Sequence, residues 1–261
     1  PLLFLVPLGP MLNWRRDEIV AATRRLTVPA MIACGVLIIG LVSFGWKKLM
    51  TAGALALAAW LIGGALAILG RRWWMGRAEL GRTVRSTPAA LFGLVLAHAG
   101  LGLLTLGVAG VTAWQSDKVL TMNPGDTVTF AGRTLTLDAL DMVDGPNYRA
   151  RQARLLVKGR DGAYPLVSER RVYASSQTTE AGIHVAPLGN LYVSVGDDLA
   201  NGVVVRMWDH PLIIWIWTGG FLMALGGLVS LSDRRLRLGA PSRVTARPPP
   251  AAFAPVPEAA E

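Results

Sequence analysis

Four stretches of the chain contain no Asp, Glu, Lys or Arg and are long enough to cross a membrane. They occupy residues 28–44, 49–69, 88–114 and 211–231 and consist largely of Ala, Leu, Ile, Val and Gly. An α-helix needs roughly 20 apolar residues to cross about 30 Å of hydrocarbon, because each residue adds about 1.5 Å to its length. The pattern therefore predicts four transmembrane helices.

Residues 115–210, between the third and fourth of these helices, follow a different pattern. Short runs that are β-branched or alternate between apolar and polar residues are separated by turn sequences rich in Gly, Pro, Asn and Asp. The predicted strands are Thr127–Phe130, Arg133–Leu140, Arg151–Lys158, Pro165–Tyr173, Leu191–Val195 and Val203–Met207. The sequence thus predicts a polytopic α-helical membrane protein with an inserted exterior β-rich domain, a small barrel or sandwich.

The two ends of the chain do not predict further spanning helices. Residues 1–12 are apolar but too short to span alone, and residue 1 is Pro. We therefore expect the end of a truncated transmembrane helix there, and a chain that is a fragment of a longer protein. Residues 232–261 are basic and Pro-rich, with too little apolar content to form a core, so they are predicted to be a disordered tail.

The distribution of charge gives the predicted helices an orientation. The chain is 52% hydrophobic and 16% charged, yet its net charge is +9, a combination that neither a nucleic-acid-binding domain nor a disordered chain explains. Residues 13–27, 70–87 and 232–261 hold 14 basic and six acidic residues, whereas 115–210 hold ten basic and 11 acidic. Basic loops favour the cytoplasmic side. The charges therefore predict cytoplasmic basic loops at 13–27 and 70–87, both ends cytoplasmic, and residues 115–210 in the periplasm.

One ionisable side chain, other than the thiol of Cys34, lies in the interior of a predicted span. His98 follows Ala97 and precedes Ala99 and Gly100 in the third span. A polar group at that depth must find its partner within the protein, and such residues are candidates for function. Three roles remain open on the residues alone: a hydrogen bond to Ser or Thr of another span, a metal or haem ligand, and proton transfer.

The other candidate residues carry weaker expectations. His210 is predicted to lie at the membrane interface, and His184 to be a solvated residue in a polar loop. Cys34 is the only cysteine, so no disulfide forms within the chain, and it is expected to be a small buried apolar residue. No catalytic residue, phosphate-binding loop or cluster of metal ligands is recognised.

Several segments resemble the C-terminal half of the CcmF/NrfE-type cytochrome c haem lyases, in the order and with the spacing of that family over residues 1–238. The matching segments are Pro7–Pro10, Leu96–Gly100, Met122–Asp126, Asp144–Tyr148, Thr178–Ile183, Trp215–Gly227 and Asp233–Arg235. The sequence is identified on these motifs as a member of that family.

The resemblance implies a function, a cofactor and partners. Members of the family attach haem covalently to the CxxCH motif of apocytochromes c at the periplasmic face of the bacterial inner membrane. They receive haem from the haem chaperone CcmE and work with CcmH and CcmI. They also hold a b-type haem within the membrane between two histidines on different helices, which is thought to keep the incoming haem reduced with electrons from quinol. His98 matches the C-terminal one of these two ligands to the haem iron.

The departures from the family define what this chain is expected to lack. The tryptophan-rich WWD signature that binds the substrate haem, its two flanking histidines and the second intramembrane ligand belong to the family's N-terminal part. The second axial ligand and the substrate-haem site are thus expected outside this chain, which is an enzyme only as part of the full-length lyase. The alternative is a non-catalytic membrane subunit whose periplasmic β domain docks partner proteins of an assembly complex. A transporter or proton relay is less favoured, because such sites gather several polar groups within the membrane.

Overall fold

The structure, a computed structural model, describes residues 2–11, 24–159 and 162–233. Within these residues, four helices are long and apolar enough to cross a membrane, and a β-sandwich is inserted between the third and the fourth. The predicted fold class is confirmed. In chain order the helices are α1 (Leu2–Leu5), α2 (Thr27–Phe44), α3 (Leu49–Met75), α4 (Leu80–Arg85), α5 (Ala89–Trp114) and α6 (Ile213–Leu231), with 3-10 turns at Gly9–Met11, Trp46–Lys48 and Arg77–Glu79.

Helix α3 is longer than the apolar run that predicts it. It continues to Met75, six residues past position 69, so that Arg71 and Arg72 lie on its last turns rather than in a loop. Its 27 residues extend about 40 Å, which exceeds the roughly 30 Å of hydrocarbon. A helix of this length can cross the hydrocarbon with turns to spare, and Arg side chains at such an end favour helix and remain hydrated. Most of the predicted 13–27 loop and nearly all of the predicted 232–261 tail lie outside the described residues.

Helices α5 and α6 pack at backbone contact through glycines spaced seven residues apart. A Cβ atom on Gly100 of α5 would lie 2.7 Å from the carbonyl oxygen of Gly219 on α6, and Gly93 similarly faces Gly226. On the opposite side of α5, a Cβ on Gly102 would lie 2.5 Å from Ile62 of α3. Small residues let membrane helices approach closely enough for dispersion contacts between backbones. Helix α5 is therefore held between α3 and α6.

The sandwich consists of two antiparallel sheets. The first has the strand order β1-β9-β8-β7 and the second the order β2-β3-β4-β5-β6. Leu135, Leu155, Val193 and Val205 are among the fully buried side chains between the sheets. The strands are β1 (Ser116–Met122), β2 (Thr127–Phe130), β3 (Arg133–Asp144), β4 (Arg149–Gly159), β5 (Gly162–Val172), β6 (Gln177–Glu180), β7 (Gly182–His184), β8 (Asn190–Leu199) and β9 (Gly202–His210).

A hydrogen bond across the sandwich joins the two sheets. Ser168 of β5 is fully buried; its Oγ donates to the carbonyl of Glu180 at 2.9 Å and accepts the backbone N–H of Val195 in β8 at 3.0 Å. Because a buried N–H without a partner costs free energy, this hydroxyl fixes how the two sheets sit against each other.

The sandwich is attached to the helices by a polar junction at the end of β9. Arg133 donates to the Asp209 carboxylate at 2.8 Å and to the carbonyl of Gly189 at 3.1 Å, and both charged side chains are at most 13% exposed. The indole of Trp215 on α6 donates to the carbonyl of Pro187 at 3.0 Å. The loop before β8 is therefore tied both to the sandwich and to the first turn of α6.

Candidate functional site

His98 lies near the middle of helix α5, and the helix itself supplies a partner for its ring. The Nδ1–H of His98 donates to the main-chain carbonyl of Leu94, one turn earlier, at 2.7 Å. A carbonyl oxygen only accepts hydrogen bonds, so Nδ1 carries the proton in this contact. In a neutral imidazole the lone pair is then on Nε2, which makes no hydrogen bond to any residue in the described part of the chain. The ring thus presents Nε2 as its acceptor or metal-binding atom.

The direction of His98 follows from the two faces of α5 that are already occupied. Successive helical residues are about 100° apart, so His98 lies about 160° around the helix from Gly100, which contacts α6. It lies about 40° from Gly102, which contacts α3. The imidazole therefore emerges at the edge of the α3 contact and away from α6, where it is only half-buried.

A separate cavity lies farther along α5, toward the sandwich. Thr105 lies seven residues after His98 on the same face, about 10 Å farther along the helix. Its hydroxyl donates to the carbonyl of Leu101 at 2.8 Å and lines a cavity of about 420 Å³. Leu3 of α1 and Thr51 of α3 lie on the other walls of this cavity. The sequence did not indicate Thr105 as a candidate residue, because a helical Thr that hydrogen-bonds to its own backbone has no distinctive sequence pattern.

The setting of His98 bears on one of the roles left open by the sequence, a hydrogen bond to another span. The observed partner of Nδ1 is a carbonyl of its own helix, not a Ser or Thr of another span. Among residues 2–11, 24–159 and 162–233, no group of three or more His, Cys, Asp or Glu side chains could hold a metal ion. A metal bound here would need most of its ligands from elsewhere. A haem iron meets that condition, since the porphyrin supplies four nitrogens and leaves the axial positions to imidazole.

The structure brings neither of the other two histidines to this site. His184 lies in β7 and stacks on Tyr164 with ring centroids 3.8 Å apart, and its Nε2 is buried. The prediction that His184 is a solvated loop residue is therefore wrong; a three-residue strand without an apolar run gave no strand pattern. His210 is the last residue of β9, next to the start of α6, and packs edge-on against Tyr192 at 5.2 Å.

His210 lines a second cavity, of about 610 Å³, at the sandwich end of the helices. Tyr192, Arg206 and Trp208 also line it, with the Arg206 guanidinium 5.1 Å from the centre of the Trp208 ring. The Nδ1 atom of His210 is buried and has no hydrogen-bond partner among the described residues. These side chains come from strands β8 and β9, whose register places Tyr192 opposite Trp208.

A charged network on β4 and β5 carries the clearest electrostatic perturbation of the sandwich. Gln152 donates to one oxygen of the Glu169 carboxylate at 2.6 Å, and Arg171 donates to the other at 2.8 Å. These two bonds, the first more than the second, lower the pKa of Glu169 below its ordinary value. The same contact with Glu169 raises the pKa of Arg171. This network stabilises the β4–β5 pair and lies on the sandwich, not on helix α5, which carries His98.

Comparisons with known proteins agree with this architecture. Residues 113–211 match the model of a family described as the CcmF C-terminal β-sandwich. The chain is 39% identical over 250 residues to the cytochrome c-type biogenesis protein CycK of Rhizobium meliloti (strain 1021), covering 93% of this chain and 37% of that protein. It is 34% identical over 244 residues to the cytochrome c-type biogenesis protein CcmF of Escherichia coli (strain K12), covering 91% of this chain and 36% of that protein.

A solved structure shares the fold. The structure named cytochrome c haem lyase CcmF superposes with a TM-score of 0.69 at 20% sequence identity, covering 88% of this chain and 38% of that one. At that identity the likeness concerns the fold alone. The chain spans less than two fifths of the length of these relatives.

Proposed function

Because the chain belongs to the CcmF family of cytochrome c-type biogenesis proteins, we propose that it forms the C-terminal region of a cytochrome c haem lyase. In this proposal His98 is an axial ligand of a b-type haem within the membrane. The lyase attaches haem covalently to apocytochrome c at the periplasmic face of the bacterial inner membrane.

The observation that carries the ligand assignment is the hydrogen bond from Nδ1 of His98 to Leu94. Histidines that bind a metal commonly donate their other ring nitrogen to a carbonyl or carboxylate, which fixes the tautomer and orients the ring. The Leu94 carbonyl supplies that partner from the same helix, so the orientation of the imidazole depends on the position of α5 alone. The ring is thereby prepared to offer Nε2 without any further rearrangement.

The chemistry of the group follows from its ligands. A b-type haem with imidazole on both faces has no open position for oxygen and serves as an electron carrier. In this chain Leu94 orients the ligand, and the contacts of α5 with α3 and α6 hold the helix that carries it. The second axial histidine is proposed to come from a part of the protein outside this chain.

The proposal extends to topology and partners. We propose that the basic loops and both ends of the chain lie in the cytoplasm and that the β-rich domain, residues 115–210, lies in the periplasm. The substrate haem is handled outside this chain, delivered by the haem chaperone CcmE, and CcmH and CcmI present the apocytochrome. Quinol is the proposed electron donor.

Absorption spectroscopy of the full-length protein tests the ligand assignment. Purified wild-type protein is expected to give a reduced b-type spectrum that His98→Ala abolishes or converts to a five-coordinate spectrum. His184→Ala and His210→Ala are matched controls, because they remove the same ring from the sandwich, and both should keep the wild-type spectrum. A wild-type spectrum in purified His98→Ala would overturn the assignment.

Cytochrome c maturation in cells separates the lyase from the alternative of a docking subunit. If residues 115–210 act only as a docking surface, deleting 115–207 abolishes maturation while His98→Ala leaves it intact. The lyase proposal requires that His98→Ala also lowers maturation.

A further inference from the structure

The ends of the helices remote from the sandwich form a small cavity that combines basic and apolar walls. Its volume is about 250 Å³. Arg71 and Arg72 of α3 and Arg25 before α2 supply its charge. The apolar lining residues are Pro10, Met11, Ile68, Met75 and Leu91.

One of the arginines is held in place by neutral partners. Arg72 donates through Nε to the Thr87 hydroxyl at 3.0 Å and through Nη2 to the carbonyl of Ser86 at 3.3 Å. Thr87 is itself buried and donates to the carbonyl of Thr83 at 2.8 Å. The Arg72 guanidinium is thus fixed in orientation, and neither of these partners neutralises its charge.

The second arginine adds a charge that the described residues do not compensate. Arg71 is exposed and makes no hydrogen bond or ion pair with any residue of the described ranges. Within residues 2–11, 24–159 and 162–233, two carboxylates lie at this end of the helices, Glu79 and Asp233. Glu79 pairs with Arg82 at 2.6 Å, and Asp233 accepts the N–H of Ala90 at 3.1 Å. Neither carboxylate lines the cavity.

We propose that this cavity binds the phosphate headgroup of an anionic phospholipid from the leaflet opposite the sandwich. Arg guanidinium groups bind phosphate oxygens through paired N–H donors, and basic pockets between membrane helices bind anionic headgroups. The volume is below the roughly 300 Å³ of ordinary small-molecule pockets, so it accommodates the headgroup and leaves the acyl chains outside. Ile68, Met75 and Leu91 give those chains an apolar wall that begins at the phosphate site. The proposal goes beyond the haem function and does not depend on it.

Native mass spectrometry of the full-length protein tests the site. The protein, in an uncharged detergent, is exposed to equal amounts of phosphatidylglycerol and phosphatidylcholine. Wild-type protein should retain phosphatidylglycerol in preference, and Arg71→Gln should lower this retention about fivefold, because one Arg near a lipid headgroup contributes about 1 kcal/mol. Arg71→Lys keeps the charge without the paired donors and should give an intermediate retention.

The matched control is Arg85→Gln, which removes the same charge from the same end of the helices but outside the cavity. It should leave retention unchanged; equal losses in Arg71→Gln and Arg85→Gln would overturn the site in favour of diffuse surface charge. Equal retention of both lipids by the wild type would also overturn it. Wild-type protein given inorganic phosphate without lipid should show no phosphate adduct; a phosphate adduct as abundant as the phosphatidylglycerol adduct would refute the assignment to a membrane lipid. If Arg71→Gln does not fold, the comparison of Arg71→Lys with the wild type decides.

Discussion

Two neighbouring glycines of helix α6 provide a direct test of the packing that positions His98. A Cβ atom on Gly226 would lie 2.5 Å from the backbone nitrogen of Ala97, next to His98, and 2.6 Å from the carbonyl oxygen of Gly93. A Cβ atom on Gly227 would have nothing within 4 Å. The substitutions Gly226→Ala and Gly227→Ala therefore add the same methyl group to the same helix, one against α5 and the other into open space.

The structure gives the size of the expected difference. Carbon atoms are in contact at about 3.5 Å, so Gly226→Ala requires α5 and α6 to separate by about 1 Å. Overpacking of this kind costs about 1–3 kcal/mol, and the contacts here are with backbone atoms that cannot rotate away, which favours the upper value. Ala gains about 1 kcal/mol over Gly in helix propensity at either position. We expect Gly226→Ala to destabilise the protein by about 2 kcal/mol and Gly227→Ala to be neutral or stabilising by up to about 1 kcal/mol.

The assay is the free energy of unfolding of the full-length protein, measured by titration with a denaturing detergent. The reduced absorption spectrum is recorded at the same time, because a shift of α5 moves His98 with it. Gly226→Ala should perturb the spectrum, and Gly227→Ala should leave it unchanged. Equal effects of the two substitutions on stability would refute the account of how α5 and α6 pack.

Three further predictions concern the sandwich and are measured by hydrogen exchange of its peptides in the full-length protein. Ser168→Ala removes the acceptor of the Val195 N–H and should destabilise the sandwich by about 1–3 kcal/mol, with faster exchange in both sheets. Arg133→Met leaves the Asp209 carboxylate largely buried without its partner and should cost about 3 kcal/mol; protection equal to the wild type would contradict the structural role of this pair. The lowered pKa of Glu169 means that its carboxylate stabilises the folded state above about pH 4.5 and that this contribution is lost as the pH falls through the folded pKa. Protection in β4 and β5 should therefore fall on acidification in the wild type and change less in Glu169→Gln.

The helices and most of the strands could be predicted because their patterns are local. Helix α2 begins at Thr27, one residue before the predicted start at 28. The agreement is close because a long apolar run within a membrane can satisfy its backbone hydrogen bonds only as a helix. Strands β1, β6 and β7 were not predicted: the first begins with the polar residues Ser116, Asp117 and Lys118, all four residues of the second are exposed, and the third is only three residues long. Such strands are defined by the neighbour they pair with, which a local pattern does not contain.

The sequence predicted one residue of the candidate site, His98, but not the residues that surround it. His98 was recognisable because the other residues of its apolar stretch, 88–114, include no charged side chain. Its bond to Leu94 follows from the spacing of four residues in a helix, and the sequence alone could have suggested it. Arg133 and Asp209, by contrast, are 76 residues apart, and their pairing depends on how β3 meets the end of β9. The basic cavity similarly gathers residues of four separate segments.

The ligation of a haem iron by Nε2 of His98 is tested most directly by restoring the missing ring. His98→Gly in the full-length protein removes the imidazole and leaves space where the ring was, in a helix that already contains several glycines. If His98 ligates the iron, this variant loses the six-coordinate b-type spectrum and added imidazole restores it in a saturable manner. A six-coordinate wild-type spectrum without imidazole, or haem-loaded protein whose spectrum imidazole does not change, would contradict the account.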